Sequence, residues 1–333
     1  MKKSITKETK MTKSMTSLND ILNIIRRGEN FLVLPHILPD GDTIGSSLGL
    51  YWFLKKLGKN PYILLDGHIP NNLLFLPGAS NIMLTWDEDI KVDTVIFIDA
   101  SDLDRLGPNA LFVEKVENSI NIDHHITNTY YASCNYVSED AAATGEIIYH
   151  LIKSSEVDID EHIATCLYTA VTTDTGSFKY DNTKPHTHRI AAELLEYGVD
   201  VNQVTTEIYQ NKPVCQVKLL SAALNTLTME SSGKLAVILV TKEMLSKSQA
   251  SVLDADGIIE FGRDIQGVEV AVLLKEVEEK EIKVGFRSKY DIDVSKIAKD
   301  FGGGGHKKAS GCTIYDSIMN AKQAVIQAVT AYL

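Results

Sequence analysis

The stretch HILPDGDTIGSSLG, residues 36–49, joins a short apolar run to a predicted helix. The apolar run, residues 31–34, predicts a buried strand, and the periodic apolar residues of 43–58 predict a helix that ends at a glycine. Between them the chain forms a turn of proline, aspartate and glycine. Three polar side chains are thereby placed at the carboxyl end of a buried strand: His36, Asp40 and Asp42.

Further apolar runs alternate with helical patterns in the first half of the chain. Residues 61–66, 92–100 and 119–125 predict three more strands, and residues 17–30 predict a helix. Strands that are apolar throughout and alternate with helices are typical of a parallel sheet covered on both faces. The sequence therefore predicts an α/β fold, in which ligands bind at the carboxyl ends of the strands.

The second half of the chain begins with helical patterns and then returns to alternating strands and helices. Residues 186–229 predict a helical connector, and residues 230–333 predict a smaller α/β domain. The parallel-sheet domain that precedes them spans residues 17–185. Residues 1–16 are basic and rich in serine and threonine, and for them we predict a disordered tail.

Composition and charge argue against several classes of function. The 333 residues are 44% hydrophobic and carry a formal net charge of −11, whereas proteins that grip long duplex nucleic acid usually have a basic face. No apolar run reaches the length of about 18 residues that a membrane helix needs, and no apolar core of a secretory signal follows the basic start. The four cysteines form no CxxC pair, which favours reduced thiols in a cytoplasmic protein.

Aspartates and histidines recur at the predicted strand ends. A turn or a helix N-cap explains any one aspartate, but carboxylates crowded together without cations repel one another and are costly to bury. No lysine or arginine lies within the four N-terminal segments that carry them, so a divalent metal is the simplest source of positive charge. The candidate residues are His36, Asp40, Asp42, Asp99, Asp123, His124, His125 and Asp174.

The mixture of ligand types narrows the choice of metal. Imidazole and carboxylate ligands without thiolate suit Mn²⁺, Fe, Co²⁺ or Zn²⁺, whereas ligation by oxygen alone would suit Mg²⁺ or Ca²⁺ better. The candidate ligands are too many for one ion and sufficient for two ions that share a bridging carboxylate. Such a pair activates a water and stabilises the attacking and leaving oxygens in phosphoryl transfer. Asp40 and Asp42, separated by one glycine, can then face two different ions.

Five motifs resemble those of a known family. HILPDGD, VIFIDASD, NIDHH and TAVTTDTGSF, in this order, resemble the four motifs of the DHH phosphoesterase family, and FGGGGHKKASG resembles the glycine-rich motif of the DHH-associated C-terminal domain. The similarity extends over residues 17–333. It implies a two-domain α/β phosphoesterase that holds two Mn²⁺ ions, for which Mg²⁺ or Co²⁺ is the alternative.

The resemblance also implies roles for the candidate residues. His36 and Asp40 would bind one metal, and Asp99 would bridge the two. The ligands of the other metal would be Asp42, His124 and Asp174. Asp123 would orient a histidine from behind the site, and His125 would point into the cleft as a proton donor or a phosphate ligand.

The second domain carries candidate phosphate ligands. The N–H groups of the glycine run 302–305 can cradle an anion, and the run joins a predicted helix to a predicted strand too tightly for a flexible linker. The planar guanidinium of an arginine also suits phosphate, with a surface ion pair as the alternative. In the first domain, an aromatic residue after Asp174 either stacks on a base or packs in the core. The candidate substrate-binding residues are Ser177, His188, Arg263, Arg287, Gly303, Gly304, Gly305 and His306.

The compact two-domain layout is most similar to the nanoRNase type of this family. That type implies hydrolysis of short single-stranded RNA and of dinucleotides such as pApA to mononucleotides, together with removal of the 3′-phosphate from 3′-phosphoadenosine 5′-phosphate (pAp). A standalone phosphodiesterase for cyclic dinucleotides such as c-di-AMP and a non-catalytic nucleotide sensor are the alternatives. We expect no membrane association, and the oligomeric state stays open between a monomer and a homodimer.

Overall fold

The computed structural model describes residues 16–116 and 118–333. Within this part of the chain, no helix is both long enough and apolar enough to cross a bilayer. The predicted tail, residues 1–16, lies outside the described residues except for Thr16. The N–H group of Thr16 donates a hydrogen bond to the carbonyl oxygen of Asn135.

The chain divides after Asn211 into two compact units, and this division lies inside the segment predicted as a helical connector. The strands of the first unit are β1 (Asn30–Pro35), β2 (Asn60–Leu64), β3 (Ile82–Met83), β4 (Thr94–Ile98), β5 (Asn118–Asp123) and β6 (Cys134–Val137). They form one parallel sheet in the order β3-β2-β1-β4-β5-β6, which confirms the predicted α/β fold. The sequence does not predict β3 and β6, because the first has two residues and the second four, three of them polar or only partly buried.

Helices cover both faces of this sheet. They are α1 (Leu18–Arg27), α2 (Gly41–Lys56), α3 (Phe112–Lys115), α4 (Thr144–Lys153), α5 (Glu161–Asp174), α6 (Pro185–Glu196) and α7 (Val201–Thr205). Alternate residues of β1 are buried in opposite cores, since successive strand side chains point to opposite faces. Phe31 and Val33 pack with the larger helices, whereas Leu32 packs with Phe112 of α3.

Helices α2 and α5 pack unusually closely because three glycines of α2 face α5. These glycines, spaced four residues apart, are Gly41, Gly45 and Gly49. A Cβ atom added at Gly45 would lie 2.4 Å from the carbonyl oxygen of Cys166 on α5. Because helical residues four apart share a face, the missing side chains let the two backbones approach. The contact brings the first turn of α2 against the last turn of α5, since Gly41 faces Thr173.

The second unit is a mixed sheet with helices on its faces. Its strands are β7 (Thr228–Glu230), β8 (Leu235–Val240), β9 (Val270–Glu278), β10 (Glu281–Ser288), β11 (Gly304–His306) and β12 (Ala309–Ile314). Its helices are α8 (Val214–Leu224), α9 (Lys242–Ser248), α10 (Ile258–Arg263), α11 (Val294–Asp300) and α12 (Ile318–Thr330). The sheet order is β11-β12-β10-β9-β8-β7, in which β8 and β9 are parallel and the other neighbours are antiparallel. Separate hydrophobic clusters cover its two faces.

The glycine run of the second unit forms an edge strand in addition to a turn. Gly304–His306 pairs antiparallel with the start of β12, and the two lysines after His306 make the hairpin turn. Gly302 and Gly305 have φ values of +74° and +134°, which other residues rarely adopt. The sequence predicts this segment as a connection only, because four glycines have low strand propensity.

The close contact of α2 and α5 predicts that a side chain at Gly45 destabilises the protein. Gly45→Ala is expected to lower the free energy of unfolding by about 1–3 kcal/mol, because its methyl group forces the helices apart. This cost outweighs the preference of about 1 kcal/mol that alanine has over glycine in a helix. Denaturant unfolding followed by circular dichroism measures the change. Lys55→Ala, at an exposed site of the same helix, is the control, and equal effects of the two substitutions would contradict the proposed packing.

Candidate metal centre

The strand order of the first sheet reverses between β1 and β4, which creates a crevice at their carboxyl ends. Residues of interest follow three adjacent strands at this edge. His36 follows β1, Asp99 follows β4, and Asp123 is the last residue of β5. The architecture therefore places histidine and aspartate side chains where parallel α/β sheets bind their ligands.

Two helix ends complete this group of side chains. Asp40 is the N-cap of α2 and accepts a hydrogen bond from the N–H group of Thr43, and Asp42 lies in the first turn of the same helix. Asp174 is the last residue of α5, which the glycine contact holds against α2. We call the whole set the acidic–histidine cluster: His36, Asp40, Asp42, Asp99, Asp123, His124, His125 and Asp174.

The cluster contains three groups of potential metal ligands, and within each group the ligand atoms lie within 4.8 Å of one another. The groups are His36, Asp40 and Asp99; Asp42, His124 and Asp174; and Asp99, His124 and His125. Asp99 belongs to two of them, which is the position that a bridging carboxylate would take. Imidazole nitrogens and carboxylate oxygens without a thiolate fit ions such as Mn²⁺. The residues present therefore fit a pair of divalent cations.

Thr43, which the sequence analysis did not single out, lies at the centre of the first group. Its Oγ1 is 2.6 Å from Nε2 of His36. The same oxygen is 2.9 Å from Oδ1 of Asp40 and 2.7 Å from Oδ2 of Asp99. One hydroxyl proton can satisfy only one of these carboxylates at a time, so the group retains negative charge that a cation would neutralise.

Arg105 also lies beside the first group, although it lies outside the four motifs. No cation falls inside the four motifs, but Nη2 of Arg105 is 3.1 Å from Nε2 of His36. A guanidinium can only donate, so Nε2 carries the lone pair that a metal would take. The proton of the ring lies on Nδ1, which donates to the carbonyl oxygen of Ile37 at 2.7 Å. The sequence feature that could have identified Arg105 is its position three residues after Asp102. The carboxylate of Asp102 accepts a hydrogen bond from the backbone N–H group of Arg105.

His124 is surrounded by carboxylates. Its Nδ1 faces the carbonyl oxygen of Ala141 at 3.2 Å, which directs Nε2 into the cluster. There Nε2 lies 3.5 Å from Asp174, 3.6 Å from Asp99 and 3.8 Å from Asp42. These separations are longer than hydrogen bonds, and an ion placed among the four groups would be within reach of each.

Two deeply buried carboxylates of the cluster have further partners. Asp42, 1% exposed, accepts hydrogen bonds from the N–H groups of Thr144 and Gly145 at 2.7 and 2.9 Å. It therefore binds the N-terminus of α4 with both oxygens, where the helix dipole favours a negative charge. Asp123, 0% exposed, lies 2.6 Å from Nδ1 of His125 and accepts from Nδ2 of Asn128.

Asp99 has a strained backbone. Its φ of +60° lies in the left-handed region, where a residue other than glycine costs about 1–3 kcal/mol. Aspartate tolerates this conformation better than most residues. The side chain is 2% exposed and accepts a hydrogen bond from Oγ1 of Thr144 at 3.0 Å. The strained residue is thus the one whose carboxylate belongs to both ligand groups.

The electrostatics of the cluster indicate a missing positive charge. Burial and the neighbouring carboxylates of Asp99 and Asp174 raise the pKa of Asp42 well above its usual range. Burial, reinforced by Asp40 and opposed by His124, raises the pKa of Asp174 to about 7. Burial disfavours the charged form of His124, but the surrounding carboxylates raise its pKa to about 10. Without a cation the site thus holds protons that a divalent ion would replace.

The candidate substrate-binding residues lie in both units. Ser177 and His188 belong to the first unit, and His188 stacks on Phe178 with ring centroids 5.2 Å apart. Ser177 and Phe178 both have φ near +60°, so the segment after Asp174 makes a tight turn. The candidates in the second unit are Arg263, Arg287, Gly303, Gly304, Gly305 and His306.

Both arginines of the second unit are engaged in ion pairs. Nε of Arg287 is 3.4 Å from Oε1 of Glu260, and Nε of Arg263 is 3.0 Å from Oδ1 of Asp264. Arg287 lies at the end of β10 with a partly exposed side chain. Its pair with Glu260 is half-exposed, and such pairs contribute little stability. An anionic ligand can therefore compete with Glu260 for this guanidinium.

Both units of the chain match known protein families. Residues 30–171 match the family described as DHH family, N-terminal domain, and residues 218–333 match the DHHA1 domain. The chain is 35% identical over 300 residues to the bifunctional oligoribonuclease and PAP phosphatase NrnA of Thermus thermophilus. That match covers 89% of this chain and 88% of the relative.

Solved structures share the architecture. An exopolyphosphatase-related protein from Bacteroides fragilis superposes with a TM-score of 0.90 at 27% identity, over 97% of this chain and 98% of that one. RecJ in complex with Mn²⁺ from Thermus thermophilus superposes with a TM-score of 0.54 at 15% identity. That match covers 95% of this chain and 54% of RecJ, and it extends the likeness in fold to a more distant protein.

The raised pKa values predict that metal binding depends on pH. Asp174 and His124 hold protons near pH 7 in the metal-free protein, so Mn²⁺ must displace them and its affinity rises with pH. These two groups contribute about two displaced protons to the slope of log affinity against pH below pH 7, where both are protonated, and about one above it, where only His124 is protonated. Calorimetric titration in buffers of different ionisation enthalpy counts the protons. Asp174→Asn should remove about one proton from the slope below pH 7, and an affinity independent of pH would contradict the prediction.

Proposed function

This chain belongs to the DHH family, and from that premise we propose that it is a two-metal phosphoesterase acting on very short oligoribonucleotides. Its products would be mononucleotides, and it would also remove the 3′-phosphate from pAp. The proposal is supported by the relative from Thermus thermophilus, whose name states both activities and which matches nearly the whole chain. Four thiols, none of them in a disulfide, support a place in the reducing cytoplasm.

One observation carries the proposal: the two ligand groups share Asp99. His36 and Asp40 lie with Asp99 on one side, and His124 lies with Asp99 on the other. Two cations bound there, which we propose to be Mn²⁺ with Mg²⁺ or Co²⁺ as alternatives, would activate a water and stabilise the charge on the phosphate oxygens. A single structural ion has no use for a carboxylate shared between two ligand groups, whereas such a carboxylate can hold two cations at the short separation used in two-metal phosphoryl transfer.

His125 is proposed as the group that protonates the leaving oxygen or holds a phosphate oxygen. Its Nδ1 lies 2.6 Å from Oδ1 of Asp123 and is occupied by that hydrogen bond. Nε2 is therefore the atom that would exchange a proton with the substrate. Burial lowers the pKa of His125, but the hydrogen bond to Asp123 and the charge of Asp99 raise it above its ordinary value. An imidazole whose pKa is raised in this way is suited to donate a proton as a general acid.

Arg105 is proposed as a ligand for the substrate phosphate. In the metal-free arrangement its guanidinium contacts the lone pair of His36, which a bound cation would use instead. The guanidinium would then be available to an anionic group beside the cation. A planar donor of fixed positive charge suits a phosphate that carries extra charge in the transition state.

The remaining candidates are proposed to recognise the substrate. Arg287 would bind phosphate after leaving Glu260, and the N–H groups of the glycine run would bind an anion together with His306. Arg263 is a weaker candidate for phosphate binding because it already forms an ion pair with Asp264, the next residue. Ser177 and the stacked ring of His188 would contact the nucleotide held next to Asp174.

Two other functions remain distinguishable by experiment. A standalone phosphodiesterase for cyclic dinucleotides would use the same centre, because its substrate has the same phosphodiester bond. A nucleotide sensor without activity would need no complete set of metal ligands, and the presence of three groups of ligand atoms speaks against it. Substrate turnover therefore decides between the three.

The first prediction concerns the substrate. With Mn²⁺ the protein is expected to hydrolyse pApA to AMP and to release phosphate from pAp, with much lower activity on c-di-AMP and pyrophosphate. Separation of the products by ion-exchange chromatography measures each reaction. Preference for c-di-AMP would establish the cyclic-dinucleotide alternative, and binding of all four compounds without any product would establish the sensor.

A second prediction concerns the shared carboxylate. Asp99→Asn retains the shape of the side chain and tolerates the left-handed backbone, but it removes the bridging charge. The rate of pApA hydrolysis is expected to fall by about a hundredfold or more, with little change in the melting temperature of the metal-free protein. Asp140→Asn, an exposed carboxylate of the same unit, is the control. Activity of Asp99→Asn within a few fold of the control would refute the two-metal assignment.

A further inference from the structure

A half-buried amide in the first unit joins two chain segments that supply ligands to the metal centre. Nδ2 of Asn182 donates hydrogen bonds to the carbonyl oxygen of Ala142 at 3.0 Å and to that of Asp174 at 3.1 Å. An amide nitrogen carries two hydrogens, so it can serve both acceptors at once. Oδ1 of Asn182 is buried and has no hydrogen-bond partner among the residues that the structure describes. The side chain therefore acts here through its donor atom alone.

The carbonyl group of Asp174 lies at the end of α5. The last four carbonyl groups of a helix have no partner within the helix, and Asp174 is the final residue of α5. Three consecutive residues with φ between +56° and +63°, Gly176, Ser177 and Phe178, then reverse the direction of the chain. The reversal brings Asn182 back to the helix end, where its amide caps the carbonyl group of a candidate metal ligand.

The carbonyl group of Ala142 lies in the segment that leads into α4, and both backbone groups of this residue are held. The N–H group of Ala142 donates to Oε2 of Glu146 at 3.0 Å, and its carbonyl group accepts from Asn182. Glu146 is buried and lies in the first turn of α4. Ala142 is thus fixed from both sides, by the helix that follows it and by the loop after α5.

The residues next to Ala142 direct two ligands of one ligand group. The carbonyl oxygen of Ala141 faces Nδ1 of His124 at 3.2 Å, and the first turn of α4 donates two N–H groups to the carboxylate of Asp42. The third ligand of that group is Asp174. All three ligands are therefore tied to the two segments that the amide joins.

The other ligand group is held by different elements. His36 follows β1, Asp40 caps α2, and Asp99 follows β4. Asp99 accepts a hydrogen bond from Thr144 at the start of α4, but its own N–H group donates to the carbonyl oxygen of Ile122 on β5. The sheet and α2 therefore hold this group in place without the amide.

An exposed contact links the same parts of the chain and offers a matched control. Nζ of Lys184 lies 2.7 Å from Oδ1 of Asp140 and 3.0 Å from the carbonyl oxygen of the same residue. The carboxylate of Asp140 is almost wholly exposed to solvent, and exposed ion pairs contribute little stability. Loss of the Lys184 side chain should therefore leave the positions of the metal ligands unchanged.

We propose that Asn182 is a positioning residue for one of the two cations, the one assigned to Asp42, His124 and Asp174. It is not a ligand itself. Its amide fixes the end of α5 against the start of α4, and it resists the repulsion that would drive the carboxylates of Asp42 and Asp174 apart. The inference rests on the proposed metal centre and names the residue that sets the affinity of one of its two sites.

The test is a calorimetric titration of the metal-free protein with Mn²⁺. Asn182→Leu keeps a side chain of similar size and removes both donor hydrogens. One of the two binding steps is expected to weaken about tenfold, as for the loss of two neutral hydrogen bonds, and the other to change by less than about twofold. Lys184→Gln is the control and should leave both steps unchanged. A loss shared equally by the two steps would overturn the inference.

Two further backgrounds identify the step that weakens. In Asp174→Asn the assigned site has already lost a ligand, so adding Asn182→Leu should change the remaining Mn²⁺ affinity little. In Asp40→Asn the assigned site is intact, so adding Asn182→Leu should weaken it by the full amount, because effects add only when the sites are independent. The same loss in both backgrounds would show that Asn182 does not act on the assigned site.

A kinetic measurement separates positioning from a general loss of folding. The Mn²⁺ concentration that gives half-maximal hydrolysis of pApA should rise about tenfold in Asn182→Leu, and kcat should return to the wild-type value at saturating Mn²⁺. A kcat that stays low at saturation would contradict a role in affinity alone. Asn182→Ala, which lacks the same donors and is smaller, replaces the leucine variant if the melting curve of the metal-free protein shows that leucine prevents folding.

The results also distinguish this inference from the proposed function. If the wild-type protein binds two ions and Asn182→Leu matches the Lys184→Gln control, the inference fails and the proposed function stands. If Asn182→Leu weakens the assigned site but the wild-type protein hydrolyses neither pApA nor pAp, the proposed function fails and the inference stands. A wild-type protein that binds no Mn²⁺ would overturn both.

Discussion

Mutual repulsion among buried carboxylates is the constraint on which the first unit depends. Asp42, Asp99 and Asp174 all lie within 4 Å of the same nitrogen of His124. Asp42 and Asp99 are almost completely removed from water, where unpaired negative charge is costly. Hydrogen bonds and a helix N-terminus offset part of this cost at Asp42, but the single positive charge of a protonated His124 cannot balance all three carboxylates. The centre is therefore built for a positive charge of higher density than a histidine can supply.

The fold holds these charges in place before any cation is present. The sheet fixes the positions after β1, β4 and β5, because each strand is hydrogen-bonded to its neighbours along its length. The helices fix the others through the glycine contact, which sets the distance between the first turn of α2 and the last turn of α5. A buried hydrophobic core under both elements resists relaxation of the repelling groups. Preorganisation of this kind is what makes a charged site effective in catalysis.

The pattern of apolar residues and the positions of charged residues in the sequence are sufficient to predict the main features of the first unit. Long apolar strands and helices are predictable because burial dictates their residues locally, and the metal cluster is predictable because several acids at strand ends need a common partner. Short strands such as β3 and β11 depend on neighbouring strands for their hydrogen bonds, so their own residues carry little signal. Thr43 and Arg105 were missed for a related reason. Their role follows from contacts across the crevice, and neither residue type is unusual where it stands in the sequence.

The glycines of the two units differ in whether internal packing requires them, and only the structure reveals this difference. In α2 a side chain at Gly45 would meet the backbone of α5, so internal packing alone accounts for the residue. In β10 a side chain at Gly285 would have room, and its partner on β12 is a glycine too. Because strand glycine costs stability, internal packing does not explain glycine at Gly285 or Gly304 in the way that it explains Gly45.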